Sequence, residues 1–523
     1  MTQLTLTSLI DVRNRILAMP DTELRDIVIE AWRLIEKTPV ILEYIQQDLD
    51  HAALAGKQER IAENIDRASH CPLLPDMPAV AVDEVRAYPS ENLTLGSGRP
   101  RLLDAEAVFI LAMCRAHLDS VTSKQALDRI HDSMTLRGYF EARGIPMPSR
   151  TTMHTWLNCL SKSTYEAIYN AQMVSVLEDG LDTFDSVTAD SFSVWADTAW
   201  PTDSAMIHGL LNRVWTRAAK LFEAGLSTFS RGWVPLWLER IHDLERKIAF
   251  SCGKPGSRRK MRRLYRRLYD FAEKTLVRLD RQFEQLLPAW HDQLASLPFK
   301  TKERTEECID SIFLDLASAA RVVAYSRDRV LENRNTHTSN KVLSLSDNDA
   351  AYIKKGGREA VIGYKPQIMR SRNGFVTAFE LQKGNPADSA RLVPLTEQHI
   401  ERCHTIPHTV SVDDGYSSAG NRKKLRELGV KTISMNGAKG RNVTPEQEWE
   451  SEEYEQARDD RSAVESQVFT LRYKFHLYTF SRRSLGNVQA ELYEKVIAHN
   501  LWRAAQLRKR AAANETVTVA QTC

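Results

Sequence analysis

Asp185-Ser186-Val187-Thr188-Ala189-Asp190-Ser191-Phe192-Ser193-Val194-Trp195 is the stretch whose reading decides the architecture. It is rich in β-formers and poor in helix formers, so it predicts a strand that carries Asp190. The next segment reads as helical. Pro201-Thr202-Asp203-Ser204 opens a helix whose apolar stripe is Met206, Leu210, Leu211 and Val214, and the pattern persists to about residue 335.

The last third alternates. Strands are predicted at 360–368 and 375–381, with Gly374 in the turn between them, then a helix at 389–403 and a strand at 409–413. A helix at 418–428, a strand at 430–435 and a long helix ending near Leu477 come after these. The closing helix, from Leu485 to about Arg508, lines up Val488, Leu492, Val496 and Leu501. Joined to the strand at Asp190, the order is strand, helical insert, strand, strand, helix, strand, helix, strand, helix. That is the element order of an RNase H-like α/β core, a mixed sheet flanked by helices.

Upstream, the chain reads as all-α. Leu24, Ile27, Val28 and Trp32 recur at helical spacing within residues 1–95, and Gly96-Ser97-Gly98-Arg99-Pro100 reads as a linker. Residues 101–175 suggest three short helices. The third starts after Ser149 and turns Met153, Trp156, Leu157 and Leu160 inward, leaving Thr151, Thr152, His154, Thr155 and Asn158 outward. Such small polar groups suit a helix-turn-helix-like DNA-binding region reading base edges; the alternative is a three-helix packing unit with a solvated face. The expected division is therefore two N-terminal helical regions at 1–95 and 101–175, a core of 181–204 and 341–505, a helical insertion at 205–340 and a flexible tail at 506–523.

At 523 residues the chain exceeds what one core fills. The seven cysteines are dispersed without a CxxC pair, which argues against a disulfide framework or a zinc site. The run Ala107 to Cys114 is far shorter than the ~20 residues of a membrane span, and the N-terminus lacks a basic-then-apolar layout. A soluble cytoplasmic, nucleoid-associated protein with no membrane partner is expected. No phosphate-cradling glycine motif is present. The net charge of +3 says little, but residues 251–270 hold eight basic residues, Lys254, Arg258, Arg259, Lys260, Arg262, Arg263, Arg266 and Arg267, against Asp270. With Leu264, Tyr265, Leu268 and Tyr269 among them, they suit a helix lying along a phosphate backbone. The alternative is a solvated basic face, or one paired with Glu239 and Glu245.

Three acidic residues fall on this order where two-metal phosphodiester chemistry needs oxygen ligands, at strand ends and on an adjacent helix. They are Asp190, Asp413 and Glu465. At about 100° per residue, Glu465 lies about 40° and Arg472 about 20° round from Arg461, so the carboxylate borders an apolar stripe of Val464 and Val468 with basic neighbours on its side. Asp414 competes with Asp413. Asp203 rivals Asp190 but reads as a helix cap after Pro201. Asp347 and Asp349 read as structural, and His404 and His408, separated by Pro407, as surface residues.

Several stretches together resemble the bacterial insertion-sequence DDE transposases. They are Thr188-Ala189-Asp190-Ser191 with Pro201-Thr202-Asp203-Ser204, Leu343-Ser344-Leu345-Ser346-Asp347-Asn348-Asp349-Ala350, Lys354-Lys355-Gly356-Gly357, Val361-Ile362-Gly363-Tyr364-Lys365-Pro366-Gln367, Val412-Asp413-Asp414-Gly415-Tyr416, Arg461-Ser462-Ala463-Val464-Glu465-Ser466 with Arg472, and His499-Asn500-Leu501-Trp502-Arg503. The resemblance spans 185–505. It implies an RNase H-like catalytic core with two Mg²⁺ ions, Mn²⁺ able to substitute, held by Asp190, Asp413 and Glu465. It favours Asp413 over Asp414, because the family's aspartate stands two before the glycine. It further implies binding to double-stranded inverted-repeat ends and target DNA, cleavage and strand transfer, phosphate contacts from Arg461 and Arg472, and a homodimer or larger synaptic assembly. The family often has a tyrosine seven residues before the glutamate. Here that residue is Arg458, which leaves the role unfilled or to Tyr454. A catalytically inactive DNA-binding regulator derived from such an element, or a structure-specific nuclease on the same fold, are the competing expectations.

Overall fold

The structure is a computed structural model, and it describes residues 14, 16–18, 22–69, 103–118, 123–198, 200–252, 256–295, 297, 299–337, 340–354 and 359–522. The expected linker at 96–100, Lys254 and most of the Lys354–Gly357 stretch lie outside them. The described residues gather into two compact units, one drawn from 1–53, 95–197 and 349–523, the other from 54–94 and 198–348.

In chain order the helices before the sheet are α1 (Glu23–Lys37), α2 (Val40–Ser69), α3 (Ala105–His117), α4 (Ser123–Asp132), α5 (Met134–Ala142), α6 (Arg150–Leu157) and α7 (Lys162–Glu178). The segment 101–175, expected to hold three helices, holds four and most of a fifth, because Ser133 caps α5 by accepting the Leu136 N–H at 3.3 Å and Ser161 caps α7 by accepting the Thr164 N–H at 3.2 Å. The strands β1 (Ser186–Ser191) and β2 (Val194–Trp195) come next. After them stand α8 (Asp203–Glu223), α9 (Trp233–Ser251), α10 (Ser257–Leu294) and α11 (Phe299–Leu331). The remainder comprises β3 (Ala351–Ile353), β4 (Val361–Tyr364), β5 (Gln367–Ser371), β6 (Val376–Glu380), α12 (Leu392–Cys403), β7 (Thr409–Val412), α13 (Ala419–Glu427), β8 (Thr432–Met435), α14 (Ala438–Val443), α15 (Glu446–Trp449), α16 (Glu452–Asp460), α17 (Ser462–Tyr473) and α18 (Leu485–Thr522).

Five strands form one mixed sheet in the order β6-β5-β1-β7-β8. The β1 strand runs antiparallel to β5 and parallel to β7, and β7 runs parallel to β8. This central position explains the apolar run in β1, since a strand covered on both faces buries Val187, Thr188 and Ala189 alike. Order and directions agree with an RNase H-like core.

Both edges of this sheet are closed by a side chain. At the β6 edge the Asn500 amide, fully buried on α18, accepts from Val376 N and donates to Val376 O, each at 2.9 Å. At the β8 edge the buried Tyr454 hydroxyl accepts from Met435 N and donates to Met435 O, again at 2.9 Å. An unpaired strand edge inside a protein leaves backbone groups unsatisfied; these two residues remove that cost.

The expected strand at 360–368 is instead two strands in different sheets. Its first half, β4, lies in a small sheet of order β2-β4-β3, while its second half enters the main sheet as β5. The break falls at Lys365-Pro366, where proline contributes no N–H to a ladder. Gly363 makes the β2–β4 approach possible, because a Cβ there would stand 1.9 Å from Val194 O. The long helix expected to end near Leu477 is likewise two, α16 and α17, interrupted at Arg461. Residues 506–522, expected as a flexible tail, continue α18 as helix.

The α3 helix, buried nearly all round, packs on α1 and α18. A buried polar knot fixes this packing. Glu494 accepts from Arg115 at 2.8 and 2.5 Å, from Tyr165 at 3.0 Å and from Arg482 at 2.7 Å. Burial pushes its carboxyl up, but Arg115 and Arg482 hold it below the ordinary range. In the second unit, α8 to α11 pack on one another around Leu210, Leu268, Phe283 and Trp290. The Asp315 carboxylate bridges Arg213 and Arg217 within that bundle.

Candidate active site

The register of the central strands places two of the expected carboxylates side by side. Ala189 pairs with Val412 between the parallel strands β1 and β7, so the next residues, Asp190 and Asp413, leave adjacent strand ends at the same level. Neighbouring strands lie about 4.8 Å apart. Both side chains are half-buried. Asp190 Oδ1 accepts from Ser191 N at 2.7 Å and Asp413 Oδ1 from Gly415 N at 3.0 Å.

Asp414 has a different task. Its Oδ1 accepts from Lys439 N at 2.8 Å and Gly440 N at 3.1 Å, capping the start of α14. The approach needs Gly437, with φ of 102° and a Cβ position 2.6 Å from Asp414 Cβ. Asp203 is not the cap of α8 either. Thr202 caps that helix, and Asp203 pairs with Arg329 at 2.6 Å. Asp349 accepts from Lys383 at 2.7 Å and from the Leu485 N–H at 2.9 Å, a structural post at the head of α18. Asp347 is buried near Ser344, and His404 and His408 are exposed, in agreement with their reading as surface residues.

Glu465 sits on α17, which packs against β1. The buried stripe of that helix is Val464, Gln467 and Leu471; Gln467 takes the place expected for Val468, and its amide meets His499 Nε2 at 2.7 Å. Glu465 itself is 66% exposed and pairs with Arg461 at 3.2 Å. Among the described residues, the ligand oxygens of Asp190, Asp413 and Glu465 do not all lie within 4.8 Å of one another. Arg472 is half-buried on the same helix, and its Nε has no hydrogen-bond partner among the described residues. Tyr454 cannot stand in for the missing family tyrosine, because its hydroxyl is buried against Met435.

A fourth acidic residue, which sequence reading passed over, borders the pair. Asp388 precedes α12, and its Oδ1 meets Gln367 Nε2 at 2.7 Å and Lys365 Nζ at 2.8 Å. Burial pushes the Asp388 carboxyl up, and the bonds from Gln367 and Lys365 bring it below the usual carboxylate range. The Gln367 side-chain Oε1 accepts from the buried Tyr416 hydroxyl. That phenol titrates well above its ordinary value because it is buried and faces the charges of Asp388, Asp190 and Asp413. One aromatic hydroxyl thus senses three carboxylates. The motif Val361–Gln367 acquires a physical reading: Gly363 admits β2, Pro366 divides the strand, and Lys365 and Gln367 neutralise and hold Asp388. Nothing in Pro386-Ala387-Asp388 distinguishes it from an ordinary helix approach, so only the loop's path brings it here.

Asp190, Asp413 and Glu465 offer oxygen donors alone, which fit a hard divalent cation better than a thiophilic one. The expected nucleic-acid contacts lie elsewhere. On α10, Arg258, Arg259, Lys260, Arg263, Arg266 and Arg267 are exposed while Leu264, Tyr265, Leu268 and Tyr269 are buried. Arg258 and Arg262 reach Asn333 at 3.2 and 3.4 Å. Among the described residues no ion pair engages Arg259, Lys260, Arg263, Arg266 or Arg267, so the pairing with Glu239 and Glu245 considered from sequence is not formed. On α6, Thr151, His154, Thr155 and Asn158 are exposed and Thr152 is half-buried. Thr155 bonds back to Thr151 O at 3.0 Å, and Asn158 accepts from Arg115 at 3.1 Å. Among the described residues, no helix is long and apolar enough to cross a membrane.

Comparison with known proteins adds the chemistry's name. Residues 308–501 match the family described as the transposase DDE domain, a span that includes Asp413 and Glu465 and excludes Asp190. A curated relative, the transposase for insertion sequence element IS1106 of Neisseria meningitidis serogroup B, is 24% identical over 241 residues, covering 46% of this chain and 78% of that protein. No solved structure matches. Residues 308–501 are thus similar to the transposase DDE domain, and part of the chain is similar to an insertion-sequence transposase.

Proposed function

We propose that this protein is a DDE transposase that binds the inverted-repeat ends of its insertion sequence and catalyses Mg²⁺-dependent DNA cleavage and strand transfer. The observation that carries the reading is the placement of Asp190 and Asp413 at one level on adjacent parallel strands, in a chain whose C-terminal portion matches a transposase DDE domain. Asp190, Asp413 and Glu465 are the metal-holding residues. When bound there, two divalent ions supply the positive charge that activates the attacking oxygen and offsets charge on the leaving oxygen.

The chain's own residues do the rest. Lys365 and Gln367 keep Asp388 paired, so it adds hydrogen bonding beside the site without competing for a cation. Tyr416 stays protonated and rigid beneath the two aspartates, fixing the backbone that carries Asp413. Arg461 answers Glu465 before DNA arrives and, with Arg472, neutralises phosphate near the scissile bond. The exposed cations of α10 track the backbone, where each neutralised phosphate releases counterions, and the outward groups of α6 contact base edges. Residues 101–175 serve as the helix-turn-helix-like DNA-binding region after the N-terminal helical region at 1–95, 181–204 and 341–505 as the core, and 205–340 as the insertion. Synapsis of two ends calls for a dimer or larger assembly.

The test is cleavage of duplex DNA bearing the element's own ends, with Mg²⁺ and with EDTA, by wild type, Asp413→Asn and Asp414→Asn. The reading expects metal-dependent nicking at the repeat boundary that Asp413→Asn abolishes and a folded Asp414→Asn retains. Specific binding with no cleavage by any of the three proteins would establish the regulator reading instead.

A further inference from the structure

The bundle α8–α11 holds a cluster that transposition chemistry does not use. His208 on α8 and His242 and Glu245 on α9 converge so that one donor atom from each lies within 4.8 Å of the others. Glu245 Oε2 is 3.2 Å from His242 Nδ1 and 3.6 Å from His208 Nδ1, and the two imidazole rings stand 4.6 Å apart at 41°.

The sequence produces this placement simply. His242 and Glu245 are three apart and share one helix face. Ile207, Ile241 and Leu244, each one residue earlier, are buried in the bundle core, so the three polar side chains rim the seam where α8 packs on α9.

We propose that His208, His242 and Glu245 bind one divalent transition-metal ion of the Zn²⁺ class, bracing α8 to α9. Zinc takes nitrogen and carboxylate oxygen ligands at about 2.0–2.2 Å, and tetrahedral geometry then separates neighbouring ligand atoms by roughly 3.3–3.5 Å. The two distances from Glu245 bracket that value. No Lys or Arg among the described residues pairs with Glu245, and no hydrogen bond among them joins the three side chains, so the carboxylate faces two imidazoles alone. His242 is 48% exposed, giving the ion an entry path and an open position for water. Imidazole nitrogens favour Zn²⁺, Co²⁺, Ni²⁺ or Cu²⁺ over Mg²⁺, so this site is chemically separate from the all-carboxylate one.

The full chain is titrated with Zn²⁺ in excess Mg²⁺, which saturates the carboxylate site, and Co²⁺ serves as the optical probe of coordination. The expected result is one Zn²⁺ per chain, a visible Co²⁺ spectrum of tetrahedral intensity, and affinity losses of at least about tenfold in His242→Ala and Glu245→Gln. His242→Ala, at a surface position, keeps the wild-type circular dichroism and Mg²⁺-dependent DNA nicking. Wild type that retains no Zn²⁺, or variants that bind it as tightly as wild type, would overturn the proposal.

Discussion

Lys365 and Asp388 form the test case for the network beneath the two aspartates. Both side chains are close to buried, at 9% and 13% exposure, and they meet at 2.8 Å. Lys365→Met removes the cation and leaves Asp388 buried with Gln367 as its principal donor, beside Asp190 and Asp413. Removing one partner of a buried pair costs about 3–5 kcal/mol, because the remaining charge is uncompensated. Asp388→Asn leaves Lys365 with Pro386 O at 3.1 Å and should cost a similar amount. The double variant carries neither charge. Its loss should fall short of the sum of the single losses by about 0.5–3 kcal/mol, the range found for residues in one network. Guanidinium denaturation followed by far-UV circular dichroism measures all four corners of the cycle. If the single losses add to within about 0.5 kcal/mol, the two side chains act independently and the network account is wrong.

The sheet edges predict a second effect: Asn500→Leu leaves the buried Val376 N–H unpaired, its carbonyl keeping the Tyr169 hydroxyl, and Tyr454→Phe unpairs the Met435 N–H and carbonyl, at about 1–3 kcal/mol per group, and denaturation midpoints within error of wild type would contradict the edge-closing role. Burial holds the His399 and His499 imidazoles at about 4 and about 3. The unfolded chain therefore takes up these protons first as pH falls below the ordinary histidine value of about 6.5, so stability is complete above it and declines by about 1.4 kcal/mol per pH unit for each ring down toward the native values. Midpoints measured from about pH 7.5 to pH 5 should fall accordingly, and a flat profile refutes the linkage. Replacing Arg259, Arg263 and Arg266 by alanine should weaken DNA binding and reduce the log–log salt slope by about 2–3, near one per lost phosphate contact; an unchanged slope removes α10 from the interface.

The core was legible where local chemistry and tertiary role agree. β1 and β7 combine β-formers with a terminal aspartate, and the helices after them carry clear apolar stripes, so order and type could be read along the chain. What escaped was set by partners distant in sequence. Gly363 and Pro366 divide one apolar run between two sheets because β2 must pass close to β4. The break at Arg461 and the burial of Gln467 rather than Val468 depend on what α17 packs against, including His499. Asp388 reaches the site only through the path of its loop. Tyr454 and Asn500 look like family signature residues in sequence, and in the structure they close sheet edges. The His208–His242–Glu245 cluster joins two helices through residues 34 and 37 positions apart, which no local motif reports.

Glu465 is the carboxylate on which the transposase account depends most, since it stands on a separate helix from the two strand-end aspartates and is held by Arg461. The most direct measurement compares wild type and Glu465→Gln on duplex DNA from the element's ends, scoring both binding and Mg²⁺-dependent nicking. The account predicts equal binding and nicking reduced to the EDTA background in the variant. Nicking by Glu465→Gln at the wild-type rate would contradict it, because the third metal-holding residue would then lie elsewhere.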